Sequence, residues 1–310
     1  MKYAVISDIH GNNHAFRAVL ADAETMEVDT YLLLGDYASS FPQGGEVVNA
    51  IRKLKSAVVV RGNGEDYFVP LKGKAPHELT HEQMKPVYWG YRSLSPESLE
   101  YVLSLPKAAA FMDCGIEINL THQMELFYRK PKIKPFWSEH FREIMNEKPF
   151  THDEYVQFAR EALLSTPGTI DEILRLPKGV YLLGHNHLQF HMEYEGRLFI
   201  NPGSCGEPLD WDTRAAYTVL TIGDGSWNVE ERRVPYNTQL IIDALDSSGF
   251  TEYAPVWSSI MKKEALEAKD SFAPFVWHVL ETGRKMGEYE SPVSNTVWEA
   301  AVRTWDMDKK

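Results

Sequence analysis

Before residue 64 the chain alternates three short apolar runs with two helical ones. Lys2 to Ser7, "TYLLLGD" from Thr30 and "SAVVVRGN" from Ser56 are rich in leucine and β-branched residues, as buried strands are. In "NHAFRAVLADAE", Ala15, Phe16, Val19, Leu20 and Ala23 fall on one face at helical spacing, and Asn12 or Asn13 can cap the start. A second helical stretch runs from Gly44 to Leu54. Strand–helix–strand–helix–strand with short links leaves little choice of topology. It requires right-handed crossovers and a parallel sheet covered by helices, hence an α/β fold.

Further on, Ser95-Pro96 opens a helix, and "KAAAFMDCGIEINLTH" reads as two strands turning near Cys114 and Gly115. A mixed, helix-rich segment with several prolines, about 123–178, interrupts the sheet sequence. Strands resume at "GVYLLGHNH", "FHMEYEGRLFINPGS", "AAYTVLTIG" and "WNVEERRVPY". From Asn237 the pattern is helical. The expected organisation is a two-sheet α/β domain over 1–235 with an insertion at 123–178, and a helical extension over 236–310 packed on the core. Apolar residues on that extension cover either the core or a partner subunit, so a homo-oligomer stays open.

The strand ends carry the chemistry. Asp8-Ile9-His10 follows the first strand, Gly35-Asp36 the second and Gly62-Asn63 the third; His122 closes "IEINLTH", and "VYLLGHNH" ends in His185-Asn186-His187. Active sites of open α/β sheets lie at this carboxyl edge. The spacing of two in Asp8/His10 and His185/His187 lets both side chains of each pair point the same way from an extended turn. One Gly-Asp or one terminal histidine is ordinarily a turn or a hydrogen-bonded structural residue. Five such sites in order are not independent accidents. Carboxylate with imidazole suits manganese, iron or zinc better than calcium or magnesium.

These motifs resemble the calcineurin-like metallophosphoesterases, whose ordered pattern is Asp-X-His, Gly-Asp, Gly-Asn-His-Asp/Glu, His and Gly-His-X-His. The resemblance spans roughly residues 1–235. It implies a four-layer αββα sandwich of two mixed sheets flanked by helices, and two divalent ions, with manganese and iron favoured. Asp8, His10 and His187 would hold one ion, Asn63, His122 and His185 the other, and Asp36 would bridge them. A hydroxide between the ions would attack phosphorus in line, which makes Asp36, Asn63 and His122 catalytic as well as ligating. "GNGED", "NPGSCGEP" and "RAAY…ERRVPY" are similar to bacterial members that cleave phosphodiesters and dinucleoside polyphosphates.

One position departs from the pattern: Gly64 stands where the family has a histidine that aids the leaving group. Phosphoryl transfer needs mainly positioning and charge neutralisation, so this loss need not abolish turnover. Substrates with good leaving groups, diesters or anhydrides of small nucleotide-like molecules, are then expected over unactivated monoesters. His14 and Tyr37 are the substitute acids to consider; the bland reading of His14 is an exposed helix histidine. Asn12 and nearby amides could take a phosphate oxygen at a helix N-terminus. Glu65 and Asp66 either support the ligands or simply open a helix. In "FYRKPKIKPFW", Arg129 and Lys130, with Lys132, Lys134, Phe136 and Trp137, form either a clamp for distal phosphates and a base or a solvated, proline-stiffened loop.

The alternatives are a phosphomonoesterase, including a protein phosphatase, and a non-catalytic binding platform, although every expected ligand is present. A net charge of −12 disfavours binding along a nucleic-acid backbone but not small phosphorylated substrates. No apolar run suits a membrane span, no secretory signal precedes the first strand, and two distant cysteines, Cys114 and Cys205, predict a reducing cytoplasm.

Overall fold

A computed structural model of the chain describes residues 1–129 and 146–306. Two mixed five-stranded sheets face each other, with helices on both outer faces. The first contains β1 (Lys2–Ile6), β2 (Thr30–Leu33), β3 (Ala57–Val59), β9 (Ala215–Gly223) and β10 (Ser226–Val234), in the order β10-β9-β1-β2-β3. In it β1, β2 and β3 run parallel, while β9 and β10 pair antiparallel. The second contains β4 (Ala108–Asp113), β5 (Ile116–Thr121), β6 (Gly179–Leu182), β7 (Gln189–Tyr194) and β8 (Arg197–Pro202), in the order β4-β5-β6-β8-β7. Parallel β5, β6 and β8 form its centre.

The alternation of side chains along each strand explains the layers. In β1, Tyr3 and Val5 point between the sheets, where they meet Ile118, Leu120, Val180, Leu182 and Ile200. Their neighbours Ala4 and Ile6 point outward to Phe16, Val19, Val47 and Val48. Those residues belong to α1 (Asn13–Thr25) and α2 (Gly44–Ile51). On the other sheet Tyr181, Leu183 and Phe199 meet Tyr155, Ala159 and Leu163 of α6 (His152–Ser165) and Ile173 of α7 (Thr169–Arg175). Strands covered on both faces must be apolar at nearly every position, which is why they read as unbroken hydrophobic runs.

Between β3 and β4 come α3 (Asn63–Asp66), α4 (Lys85–Ser93) and α5 (Pro96–Ser104). Ser95 caps α5 by accepting the Ser98 N–H. The β4–β5 turn is made by Cys114 and Gly115, both at positive φ. After β10 follow α8 (Gln239–Ser247), α9 (Phe250–Tyr253), α10 (Pro255–Glu267), α11 (Phe272–Lys285) and α12 (Asn295–Thr304). These helices enclose their own core around Trp257, Phe275 and Trp298, joined by Phe41 and Trp89 from the preceding chain. No helix among the described residues is long and apolar enough to cross a membrane.

Candidate metal centre

The loops after β1, β2, β3, β5 and β6 meet where the carboxyl edges of the two sheets converge. Parallel hydrogen bonding continues past the strand ends and pins them: Asp8 N donates to Gly35 O at 3.1 Å, His10 N to Asp36 O at 2.9 Å and Gly184 N to His122 O at 3.0 Å. Two groups of ligand atoms result. Asp8, His10 and His187 form one and Asp36, His122 and His185 the other, each with its ligand atoms within 4.8 Å of one another. Asp36 Oδ2 lies 3.8 Å from His10 Nε2 and 3.3 Å from His122 Nε2, between the halves. Its other oxygen accepts the Gly64 N–H at 2.7 Å.

The imidazoles are oriented from behind. His122 Nδ1 lies 3.0 Å from Leu34 O and His187 Nδ1 2.6 Å from Glu207 O, so each donates from Nδ1 and leaves Nε2 free to ligate. Glu207 Oε2, 3.6 Å from His10 Nδ1, gives that ring a carboxylate partner. Charge is concentrated accordingly. Burial opposes ionisation of Asp8, yet His187 and His122 hold its carboxyl well below the usual range. His10 is raised to about 10 against its burial, chiefly by Glu207 and Asp8, and His122 to about 9 by Asp36 and Asp8. His185, buried beside His122, is pushed well below its ordinary value.

"RGNGED" is explained by this geometry. Asn63 begins α3, and its buried Oδ1 has no hydrogen-bond partner among the described residues. A Cβ on Gly62 would lie 2.1 Å from Asp36 Oδ1, and one on Gly64 would lie 2.9 Å from both Asp36 Oδ1 and Ser39 Oγ. The glycines therefore admit the Asp36 carboxylate, and a histidine at 64 would need Asp36 or Ser39 to move. Glu65 is fully buried and accepts backbone N–H groups from Asp36 at 3.0 Å, Tyr37 at 2.7 Å and Gly62 at 3.0 Å, tying the second and third loops together. Asp66 instead pairs with Arg61 and Lys107.

Two orphaned oxygens decide whether these residues fit metal ions. Among the described residues no donor reaches the buried Asp8 Oδ1 or Asn63 Oδ1, and imidazole nitrogens face each other at 3.1 Å (His10–His187) and 3.2 Å (His122–His185). Lone pairs so placed call for shared cations. The sequence profile of the calcineurin-like phosphoesterase superfamily domain matches residues 1–225. The chain belongs to this superfamily.

An uncharacterised protein of Methanocaldococcus jannaschii is 26% identical over 266 residues, covering 81% of this chain and 94% of its own. A metallophosphoesterase from Sphaerobacter thermophilus, 23% identical, superposes with a TM-score of 0.58 over 84% of this chain and 100% of that one. A hypothetical protein from Pyrococcus horikoshii, 19% identical, gives 0.57 over 83% and 97%. At these identities the superpositions establish the fold.

Within this calcineurin-like phosphoesterase the "NPGSCGE" loop braces two ligand loops at once. Ser204 Oγ donates to Asp8 O at 2.7 Å and accepts the Glu207 N–H at 2.8 Å, while Asn201 Nδ2 donates to Gly184 O at 2.9 Å. Cys205 is buried, and burial raises its thiol far above the ordinary value, which suits packing rather than nucleophilic attack. Glu207 was not recognisable as a partner of His10 from sequence; the one signal was its place in the loop quoted above.

Several expected substrate contacts are placed elsewhere. Asn12 is fully buried: Oδ1 accepts the Ala15 N–H, and Nδ2 donates to Gly206 O and Tyr236 Oη, so no donor remains for a phosphate. His14 lies on α1 with Nε2 3.2 Å from Gln43 Nε2, off the cavity described next. Tyr37 is buried and donates to Val60 O at 2.6 Å. Arg129 is exposed and also off the cavity. Lys130, Lys132, Lys134, Phe136 and Trp137 lie outside the described residues.

A cavity of about 320 Å³ opens over the ligands. His10, Asp36, Asn63, His185 and His187 form its floor; the start of α4 and residues of α10 and α11 form its walls.

Proposed function

We propose that this protein hydrolyses phosphodiester or phosphoanhydride bonds in small substrates with good leaving groups, such as a nucleotide phosphate. Asp8, His10 and His187 would hold one divalent ion, Asn63, His122 and His185 the second, with Asp36 shared. The observation that carries the reading is the pair of ligand clusters joined through Asp36 on the floor of one cavity. Divalent ions bound there supply the positive charge that acidifies water and neutralises phosphoryl oxygens. The mixture of imidazole, carboxylate and amide oxygen suits manganese or iron, and zinc as well.

The chain's own residues orient and exclude. Backbone carbonyls behind His122 and His187 fix their tautomers, and the Gly64 N–H keeps one Asp36 oxygen turned away from the centre. The walls from α4, α10 and α11 limit water and substrate size. No side chain at position 64 delivers a proton to the leaving oxygen, which favours groups that depart as stable anions.

The test is a panel on purified manganese-loaded protein: bis(4-nitrophenyl) phosphate, a dinucleoside polyphosphate, 4-nitrophenyl phosphate and an alkyl phosphomonoester. The activated diester or the anhydride is expected to exceed the alkyl monoester in kcat/KM by about tenfold or more. Alkyl monoesters turned over as fast would favour the phosphomonoesterase reading instead. No hydrolysis of any compound would remove the enzymatic reading.

A further inference from the structure

One wall of the cavity is acidic. Glu207, Glu264 and Asp270 line it with Trp257 and Phe272, and among the described lining residues none is lysine or arginine. Glu264 is 2% exposed. Its Oε1 accepts the backbone N–H groups of Ser271 and Phe272, each at 2.7 Å, whereas Oε2 has no partner among the described residues. Glu207 is also buried, with Oε2 turned to Ser40 and His10 and Oε1 unpartnered among the described residues. Burial, with Glu207 and Asp270 nearby, pushes the Glu264 carboxyl well above its ordinary range. The ionised form of that carboxyl is unfavourable without a donor, and a cationic donor in the cavity favours it.

The chemistry of the occupant follows from what converges and what does not. Glu264 belongs to neither group of residues whose ligand atoms come within caging distance of one another. An ammonium group, with three N–H donors, can instead serve separated acceptors. Trp257, stacked on Phe272 with ring centroids 4.8 Å apart, gives the adjoining methylenes an apolar wall. The volume suits a short chain.

We propose that Glu264, with Glu207 beside it, is a subsite for an ammonium group on the retained part of the substrate, so that the preferred substrates are phosphoesters of small amino alcohols. The phosphate end of this proposal rests on the phosphoesterase reading above. Retained alcohol and leaving group are distinct, so an ammonium-bearing alcohol on one side is compatible with a nucleotide or phenolate leaving from the other.

The manganese-loaded protein is assayed with 4-nitrophenyl 2-aminoethyl phosphate and its isostere lacking the ammonium, 4-nitrophenyl propyl phosphate. The amine is expected to be preferred in kcat/KM by about a hundredfold, the size of effect seen when one partner of a buried charge pair is removed. Glu264→Gln should bring the ratio near one while its amide carbonyl still accepts the Ser271 and Phe272 N–H groups. A folding defect lowers both rates alike and leaves the ratio. A wild-type ratio near one, or a preference that Glu264→Gln leaves intact, overturns the subsite. Calorimetric titration with 2-aminoethylphosphonate and propylphosphonate reads the same preference without turnover. Preference for the amine with neither ester hydrolysed overturns the hydrolase reading alone; hydrolysis of both esters alike overturns the ammonium subsite alone.

Discussion

Asp8, His10, Asp36, His185 and His187 all have φ between 50° and 74°, a region that side chains beyond Cβ rarely adopt. Each such residue costs on the order of 1 kcal/mol and persists only where its surroundings over-determine it. Here the surroundings are the backbone hydrogen bonds between loops and the carboxylate of Glu65. Glutamine at that position would turn an amide N–H₂ toward backbone donors, so at least one of three hydrogen bonds is lost. Glu65→Gln is expected to weaken metal affinity by about 10–100-fold, the usual effect of disturbing a group that orients ligands. Metal titration of wild type and variant checks this, and equal affinities would refute the positioning role of Glu65. In the sequence Glu65 was equally readable as a helix opener, because the partners of its carboxylate include residues nearly thirty positions away.

Among the elements, α1 is fastened to the first sheet by Asp22, which accepts from Arg232 Nε at 2.6 Å, Arg232 Nη2 at 3.0 Å and Tyr217 Oη at 2.5 Å. The Arg232 hydrogen bonds, against some burial and helped by Tyr217, lower the Asp22 carboxyl below its ordinary 3.8. A carboxyl whose pKa falls on folding stabilises the fold above its unfolded value and loses that contribution as pH falls through the folded one. Asp22→Ala should therefore cost about 1 kcal/mol at pH 7, given partial exposure, and less on acidification below 3.8. Urea unfolding at both pH values measures it; a constant difference would assign the loss to packing. Legibility varied among elements for a physical reason. α1 shows its stripe plainly, with Ala15, Phe16, Val19 and Ala23 buried. In α10 the buried face includes Ser258 and Glu264 alongside Trp257, Ile260 and Met261, so polarity no longer marks the inside.

For the whole molecule, the candidate ligands come from both sheets, so metal ions bound there would tie the halves of the sandwich together. Ligands bound only by the folded state stabilise it by mass action, about 2.7 kcal/mol at a hundred times the dissociation constant. Manganese at that excess should raise the thermal midpoint, and a chelator should reverse the rise. A midpoint indifferent to both would mean that the two clusters do not hold metal. The C-terminal helices add the second global feature, since α10 and α11 reach back to wall the cavity.

The succession of strands and helices along the chain, the residues at the strand ends and the departure at Gly64 could all be read from the chain, because hydrophobic periodicity and motif spacing are local properties. The left-handed backbone of the ligands, the engagement of the Asn12 amide by Gly206 and Tyr236 and the acidic wall brought by Glu264 could not. Each depends on which distant groups share a volume, and that is set only when two sheets and a helical tail pack around the same space.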